Sequence, residues 1–278
     1  HSFPTRRSSD LPNHLRRAAH TLALCAGDDF LRMLNSRKAL KSRHESVLSK
    51  CSALWRLSRS PKSAEVIRNI TGRSLPRPVA SRWNSLYDSL TALIELEDCF
   101  EDLQKSLVLY PFLSTNDVSY VKEFLECSKP IALAIDILQG EKAVFYGQLL
   151  PTIYITQKKL AEVNQAFSLR YCRPIVEGFQ KSLEKRFKDV LDCRTKLGEE
   201  SAIATMSHPL FKQTWFSCIP TSSQEHLLKR FSQLIEDRMD PASIRSLPPV
   251  DDYYNFGERP ERSITEVAKT QMIQIGRA

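Results

Sequence analysis

The feature of this sequence that most limits its possible folds is the helical spacing of its apolar residues. Glycine makes up only 8 of the 278 residues, well below the roughly 7% of an average protein. Because a sheet-rich fold needs many tight turns, this scarcity favours an all-α fold. Between residues 40 and 55, side chains that can be buried recur every three or four positions and so share one face of a helix: Leu40, His44, Val47, Leu48, Cys51, Leu54 and Trp55.

The same spacing predicts several helices along the first half of the chain. One begins at Pro61, since proline suits the first turn of a helix. A long helix is predicted from Trp83 to Leu107, closed by Pro111. Asp117 is predicted to cap another helix, and Pro130 should end or kink it before the helical pattern resumes.

The second half continues this pattern. Helices are predicted from Leu149 to Phe167 and from Pro174 to Leu191. Ser222 and Glu225 have the spacing of a capping box that opens a further helix. Beyond Pro241 the chain becomes polar and rich in turn-forming residues, which is typical of a linker.

The two ends of the chain differ from its body. Residues 1–11, "HSFPTRRSSDL", resemble one reading frame of a sequencing adapter, and residues 274–278, "QIGRA", resemble the same adapter read on the opposite strand. The predicted organisation is therefore an α-helical domain over 12–245, followed by a polar linker over 246–273. We expect this chain to be an internal part of a longer protein.

Basic residues are concentrated in one stretch, residues 31–82, which we call the basic block. It holds 13 Lys and Arg against only Glu45 and Glu65, a balance of +11, whereas the rest of the chain carries −3. Such an uneven distribution is typical of a surface that faces a polyanion. The alternative is an ordinary solvated helix face.

Several function classes have no support in the sequence. No apolar run approaches the length of about 18 residues that spans a bilayer. None of the seven cysteines forms a CxxC pair, so neither a zinc site nor a disulfide framework is indicated. Gly-rich phosphate loops, GxSxG and HExxH are likewise absent from the sequence.

Two segments combine basic residues with a ring side chain. In "LPNHLRRAAHTLAL", His20 lies between an apolar stripe and the basic pair Arg16 and Arg17. In "SRWNSLYDSL", Arg82 offers a phosphate donor beside the large π face of Trp83. Proteins that bind unstacked bases use this combination. Helical spacing from Trp83 to later apolar residues equally fits ordinary core packing, and both interpretations stay open here.

Five segments, taken in order, resemble the hAT superfamily of cut-and-paste DNA transposases and zinc-finger BED-type proteins derived from such transposons. Two are those just quoted. The others are "KCSALWRLSRSPKSAEVI", "ALAIDILQGEKAVFYGQLLPTIYITQKKL" and "IATMSHPLFKQTWF". The resemblance covers roughly Leu11 to Phe216 and implies a multi-helix insertion domain of an RNase H-like transposase. The catalytic core would be largely absent from this chain.

The resemblance also implies roles for particular residues. Trp83 matches the tryptophan that stabilises a base flipped from the flanking DNA, with Arg82 and Asn84 as its neighbours. His20 matches the histidine of a CxxH-like motif near the scissile phosphate. Arg17 occupies the position of that motif's cysteine, a departure from the family pattern that means either that the cysteine is dispensable or that this copy has decayed.

The remaining implications concern the whole parent protein. Its catalytic aspartates and glutamate, which bind Mg²⁺ or Mn²⁺ for phosphoryl transfer, are expected outside this chain, so we expect no cofactor and no complete catalytic site here. The expected partners are transposon ends and flanking DNA in the nucleus, with a homo-oligomeric parent and no membrane association. The alternatives are a domesticated chromatin or transcription regulator and a non-functional relic transcript.

Overall fold

The computed structural model describes residues 13–79, 82–109, 112–139, 146–166 and 169–237. Every regular element within these ranges is helical and no strand occurs in them, which confirms the predicted all-α class. Their α-helices are α1 Asn13–Leu24, α2 Phe30–Asn35, α3 Lys38–Leu57, α4 Pro61–Thr71, α5 Trp83–Ile94, α6 Phe100–Leu107, α7 Thr115–Gln139, α8 Leu149–Ala166, α9 Arg173–Arg186, α10 Lys188–Leu191, α11 Lys196–Met206 and α12 Thr221–Glu236. The predicted linker and both predicted adapter segments lie outside the described residues.

The described residues divide into two compact units. The first unit comprises residues 13–139 and 152–187, and the second comprises residues 146–151 and 188–237. In the first unit, α7 is the central helix, and α1, α5 and α9 all pack against it. In the second unit, α11 packs against α10, α12 and a 3-10 turn at Tyr146–Gln148. None of the described helices is long and apolar enough to cross a membrane.

Local sequence signals explain the ends of α4 well. Pro61 occupies the first turn, as predicted, where its missing N–H costs no hydrogen bond. Gly72 ends the helix in a left-handed conformation with φ of 73° and donates its N–H to Arg68 O at 2.8 Å. Glycine adopts this conformation without the steric cost that other residues incur.

The N-terminus of α7 is closed by a reciprocal pair, Ser114 and Asp117. Asp117 Oδ2 accepts hydrogen bonds from Ser114 N at 2.9 Å and from Ser114 Oγ at 2.7 Å. Asp117 N in turn donates to Ser114 Oγ at 3.3 Å. Lys50 of α3 donates to the same carboxylate at 2.6 Å. A helix does begin here, at Thr115, but the predicted cap Asp117 lies in its first turn and Ser114 takes the capping position.

The prediction of a single helix from Trp83 to Leu107 is wrong. The chain leaves α5 after Ile94, forms a 3-10 turn at Glu97–Cys99 and then begins α6. An acidic run lies at this break, and negative charge is unfavourable at a helix C-terminus but favourable at an N-terminus. Glu97, which belongs to this acidic run, forms an ion pair with Lys122 of α7.

Pro130, which was predicted to end or kink its helix, lies inside α7 without ending it, and the packing of three helices on α7 offsets a cost of about 3 kcal/mol for an internal proline. Two other local predictions fail. The helix from Pro174 ends at Arg186 rather than Leu191. Ser222 does not cap α12, because Pro220 already precedes the helix and its carbonyl accepts the first backbone hydrogen bonds, from Ser223 and Gln224.

A π-helical turn at Cys25–Asp29 joins α1 to α2. Phe30, the first residue of α2, then packs between helices, with its ring 5.3 Å from His44, 5.9 Å from Phe124 and 5.9 Å from Phe179. These rings belong to α3, α7 and α9, so Phe30 connects α2 to three neighbours.

His44 is a buried histidine within this aromatic cluster. Its side chain is only 6% exposed, and its Nδ1 lies 2.8 Å from the hydroxyl of Tyr120. Burial lowers the pKa of His44 from 6.5 to about 4, because a charged imidazolium would lose its hydration. His44 is therefore neutral at pH 7 in the folded protein.

Candidate nucleic-acid interface

Trp83 is the first residue of α5 and is half-buried. Its ring stacks on Tyr87 with centroids 6.5 Å apart and planes inclined by 21°. It also meets the edge of Phe179 on α9, at 6.3 Å and 89°. Both geometries are those that aromatic pairs favour. One part of the indole is thus fixed by the core, and the part that remains accessible is presented from a rigid position.

Asn84 links α5 to α7. Its Nδ2 donates to Ala132 O at 2.9 Å and to Asp136 Oδ1 at 2.6 Å. Rotating the amide would place its oxygen against two acceptors, so this orientation is the one that the hydrogen bonds support. Both Nδ2 hydrogens are used within the fold, and Asn84 Oδ1 is buried without a hydrogen-bond partner among the described residues. The amide therefore positions Trp83 and has no spare donor for a ligand.

Arg82 precedes α5 in an extended conformation and its side chain is exposed. The guanidinium makes no ion pair or hydrogen bond with any other described residue. Just upstream, Val79 N donates to Ser85 Oγ at 2.7 Å, which fixes the chain entering the helix. Arg82 is thus a free cation held beside a half-buried indole.

Carboxylates lie on the α7 side of this segment. Burial raises the pKa of Asp88 above its ordinary value, and the nearby charge of Asp136 raises it further. Burial also raises the pKa of Tyr87, to which the charges of Glu126, Asp88 and Asp136 contribute. A phosphate would be repelled from that side, so an anionic ligand reaches Trp83 more favourably from the end that carries Arg82.

His20 lies on α1, a helix that packs against α7 through buried residues that include Leu22. Its own side chain is exposed. Arg16 and Arg17 also belong to α1, but their side chains fall outside the described residues. The helices that carry His20 and Trp83 therefore share α7 as a scaffold, while no hydrogen bond or ring contact between described residues joins these two side chains.

The basic block separates into two groups. Six of its cations contact partners: Arg32 with Asp29, Arg37 with Glu177, Lys41 with Glu45, Arg43 with the Tyr171 ring, Lys50 with Asp117 and Arg73 with Glu95. The other seven are exposed and their side chains make no ion pair or hydrogen bond with any described residue: Lys38, Arg56, Arg59, Lys62, Arg68, Arg77 and Arg82. We call these seven the unpaired cations.

Lys50 illustrates the first group. Although burial opposes ionisation of Asp117, hydrogen bonds from Lys50 and Ser114 hold the pKa of this carboxyl below its ordinary value. The ion pair fixes α3 against the start of α7, so Lys50 has a structural role. The basic block consequently holds fewer uncompensated cations than its net charge alone predicts.

Sequence reasoning did not identify the partners that hold the Trp83 segment in place. Asp136 and Phe179 lie 52 and 96 positions beyond Asn84 and Trp83, and no local pattern marks either of them. Among the residues that the structure describes, no group of three or more His, Cys, Asp or Glu side chains is placed to hold a metal ion.

Comparison with known proteins gives no match, whether with protein families, with curated proteins or with solved structures.

Proposed function

We propose that this chain is a DNA-binding helical domain of the kind that hAT-type transposases contain, without a complete catalytic site of its own. The observation that carries this proposal is the set of seven unpaired cations, which are all exposed and which end at Arg82, beside the half-buried Trp83. Exposed positive charges without carboxylate partners attract a polyanion, and the indole beside Arg82 offers a face for a base.

The unpaired cations supply binding that does not depend on sequence. Each lysine or arginine that neutralises a phosphate releases condensed counterions, so the affinity falls as salt rises. If about six of them contact phosphates, a plot of log affinity against log salt concentration has a slope near −5. A fluorescence-anisotropy titration of the protein into labelled duplex DNA at several salt concentrations measures this slope. An affinity independent of salt would contradict the proposal.

Trp83 supplies the base contact in this proposal, and intrinsic fluorescence tests it directly. The chain has three tryptophans, and the other two, Trp55 and Trp215, are each only 5% exposed. A base that stacks on Trp83 should therefore quench a distinct part of the emission. We expect quenching by a duplex with one unpaired base, and little quenching by a fully paired duplex.

Two matched variants assign this signal. Trp83→Phe retains a ring against Tyr87 and should abolish the quenching, whereas Trp215→Phe should preserve it. Circular dichroism before the titration establishes that each variant is folded. Quenching that persists in Trp83→Phe would remove Trp83 from the proposed interface.

A second candidate, a domesticated regulator that acts through protein contacts, is favoured by a different observation. Leu133 and Ile137 on α7 and Ile155 on α8 are 41–48% exposed, and a cavity of about 420 Å³ lies beside Leu133. Leu133 and Ile137 lie one helical turn apart on α7, and a contiguous exposed apolar patch marks a protein interaction site. The DNA titration separates the candidates, because a protein-binding domain has no need of salt-dependent affinity for duplex DNA.

A further inference from the structure

A groove of about 360 Å³ lies between α2 and α9 in the first unit, and we call it the α2–α9 groove. Arg32 and Arg37 line it from α2 and the turn that follows, and Lys181 and Lys185 line it from α9. All four side chains are exposed. The two lysines are one helical turn apart, or about 6 Å along the helix axis.

Close packing of the two helices forms the floor of the groove. A Cβ on Gly178 of α9 would lie 3.2 Å from Cγ of Met33 on α2. Only glycine therefore lets the helices approach this closely without a shift of the methionine. The floor is closely packed, and the cationic side chains line its two sides.

Asp29 anchors the end of the groove. Its carboxylate accepts from Arg186 Nε at 2.5 Å and Nη2 at 2.9 Å, from Arg32 Nη1 at 3.2 Å and from Ser182 Oγ. Hydrogen bonds from Arg186, opposed by burial, lower the pKa of Asp29 to about 2, so the carboxylate is ionised at neutral pH. One negative charge here faces two guanidinium groups.

The charge of the groove is consequently positive. Its second carboxylate, Glu177, lies 3.9 Å from Arg37, which is a long ion pair between exposed groups. Lys181 and Lys185 make no ion pair with any described residue. Counting Arg186, five cations face two carboxylates, a formal balance of +3.

We propose that the α2–α9 groove binds the phosphate backbone of DNA, and this inference rests on the proposed function. The groove adds contacts from α9, which lies outside the basic block, to those of the unpaired cations. Lys181 and Lys185 are the principal phosphate ligands, because the arginines of the groove already form ion pairs with Asp29 and Glu177. Flexible ammonium groups suit successive phosphates of a backbone whose exact path varies.

The test is a charge reversal with a matched control in the same unit. Lys181→Glu/Lys185→Glu is compared with Lys158→Glu/Lys159→Glu, a pair of exposed lysines on α8. Both variants change the net charge equally, so a general electrostatic effect alters both alike. Binding to a labelled 20-base-pair duplex is measured by fluorescence anisotropy across a range of salt concentrations, after thermal melts show that both variants are folded.

We expect Lys181→Glu/Lys185→Glu to bind DNA at least tenfold more weakly at about 0.1 M salt, with a salt slope shallower by about 2, as the loss of two phosphate contacts requires. The control should lose less than threefold. Equal losses in the two variants would overturn the groove assignment and leave the proposed function intact. If the unaltered protein itself binds duplex DNA without salt dependence, the proposed function fails first.

A milder variant keeps the assignment testable if charge reversal disturbs folding. Lys181→Gln/Lys185→Gln removes the same two contacts without adding negative charge. It should reproduce the shallower salt slope, with a smaller loss of affinity than the glutamate variant. An unchanged slope in this variant would also overturn the assignment.

Discussion

The Trp83 segment, residues 82–84, and the α2–α9 groove each depend on an interhelical hydrogen bond to a carboxylate, but the charges around that carboxylate differ in sign. In each, a carboxylate on one helix holds a side chain of another: Asp136 accepts from Asn84, and Asp29 accepts from Arg186. Further carboxylates surround the first link, whereas cations surround the second. The segment that most resembles a known motif is therefore the less cationic of the two, and the groove that no motif marks is the stronger candidate for holding phosphate.

The largest expected effect is a loss of stability at low pH, which arises from the aromatic cluster around Phe30 beside the groove. Phe30 at the start of α2 packs on His44, whose pKa falls from 6.5 to about 4 on folding. Below pH 6.5 the unfolded chain binds a proton that the folded protein rejects, so stability is lost as the pH falls. The free energy of unfolding should drop by about 3 kcal/mol between pH 7 and pH 4 through this group alone.

Urea denaturation at several pH values measures that loss. In His44→Gln, the part of the pH dependence between pH 6.5 and 4 should disappear, while His20→Gln, which alters an exposed histidine, should retain it. Identical pH profiles for His44→Gln and the unaltered protein would contradict this account.

The next effect tests the link within the groove. Asp29→Ala leaves Arg186 and Ser182 without their shared acceptor and should lower the free energy of unfolding by about 2–3 kcal/mol at pH 7. Asp28→Ala, which removes an exposed neighbouring carboxylate, should cost less than about 0.5 kcal/mol.

The same carboxylate has its own pH window. Because folding lowers the pKa of Asp29 from 3.8 to about 2, its contribution is fully present above pH 3.8 and is lost as the pH falls toward 2. This window lies below that of His44, so denaturation curves at pH 5 and pH 3 distinguish the two groups. Loss of the Asp29 contribution already at pH 5 would be inconsistent with its ion pair.

The smallest effect tests the link at the Trp83 segment. Asn84→Ala removes two hydrogen bonds to α7 but also removes a buried oxygen that has no partner, so a net loss of about 1 kcal/mol is expected. Asn69→Ala on the exposed face of α4 is the matched control. A cost larger than that of Asp29→Ala would reverse the ranking of the two links.

Local signals in the sequence identified much of the helical framework. The apolar spacing from Leu40 to Trp55 corresponds to the buried face of α3, and Pro61 marks the start of α4. Other outcomes depended on context that the spacing does not show. Pro130 does not end α7, which is packed by other helices, and Ser222 fails as a cap because Pro220 precedes it.

The candidate sites show the same limit. Arg82, Trp83 and Asn84 are adjacent in the sequence, so their combination was visible, but the sequence could not show that Asn84 is committed to Asp136. Asp29 and Arg186 are separated by 157 positions. No periodicity connects residues that far apart, and their pairing follows only from the packing of α2 against α9.

The π-helical turn at Cys25–Asp29 gives this part of the fold an unusual sensitivity to chain length. A π-turn holds one more residue than the α-helical turn that it replaces, so it offsets the angular phase of α2 from that of α1. Asp29 and Arg32 point into the groove because of that surplus residue. A deletion of a single residue here would rotate α2 by about 100° relative to α1, since each α-helical residue turns by that angle. The number of residues in this turn, rather than any one side chain, thus determines the orientation of the groove.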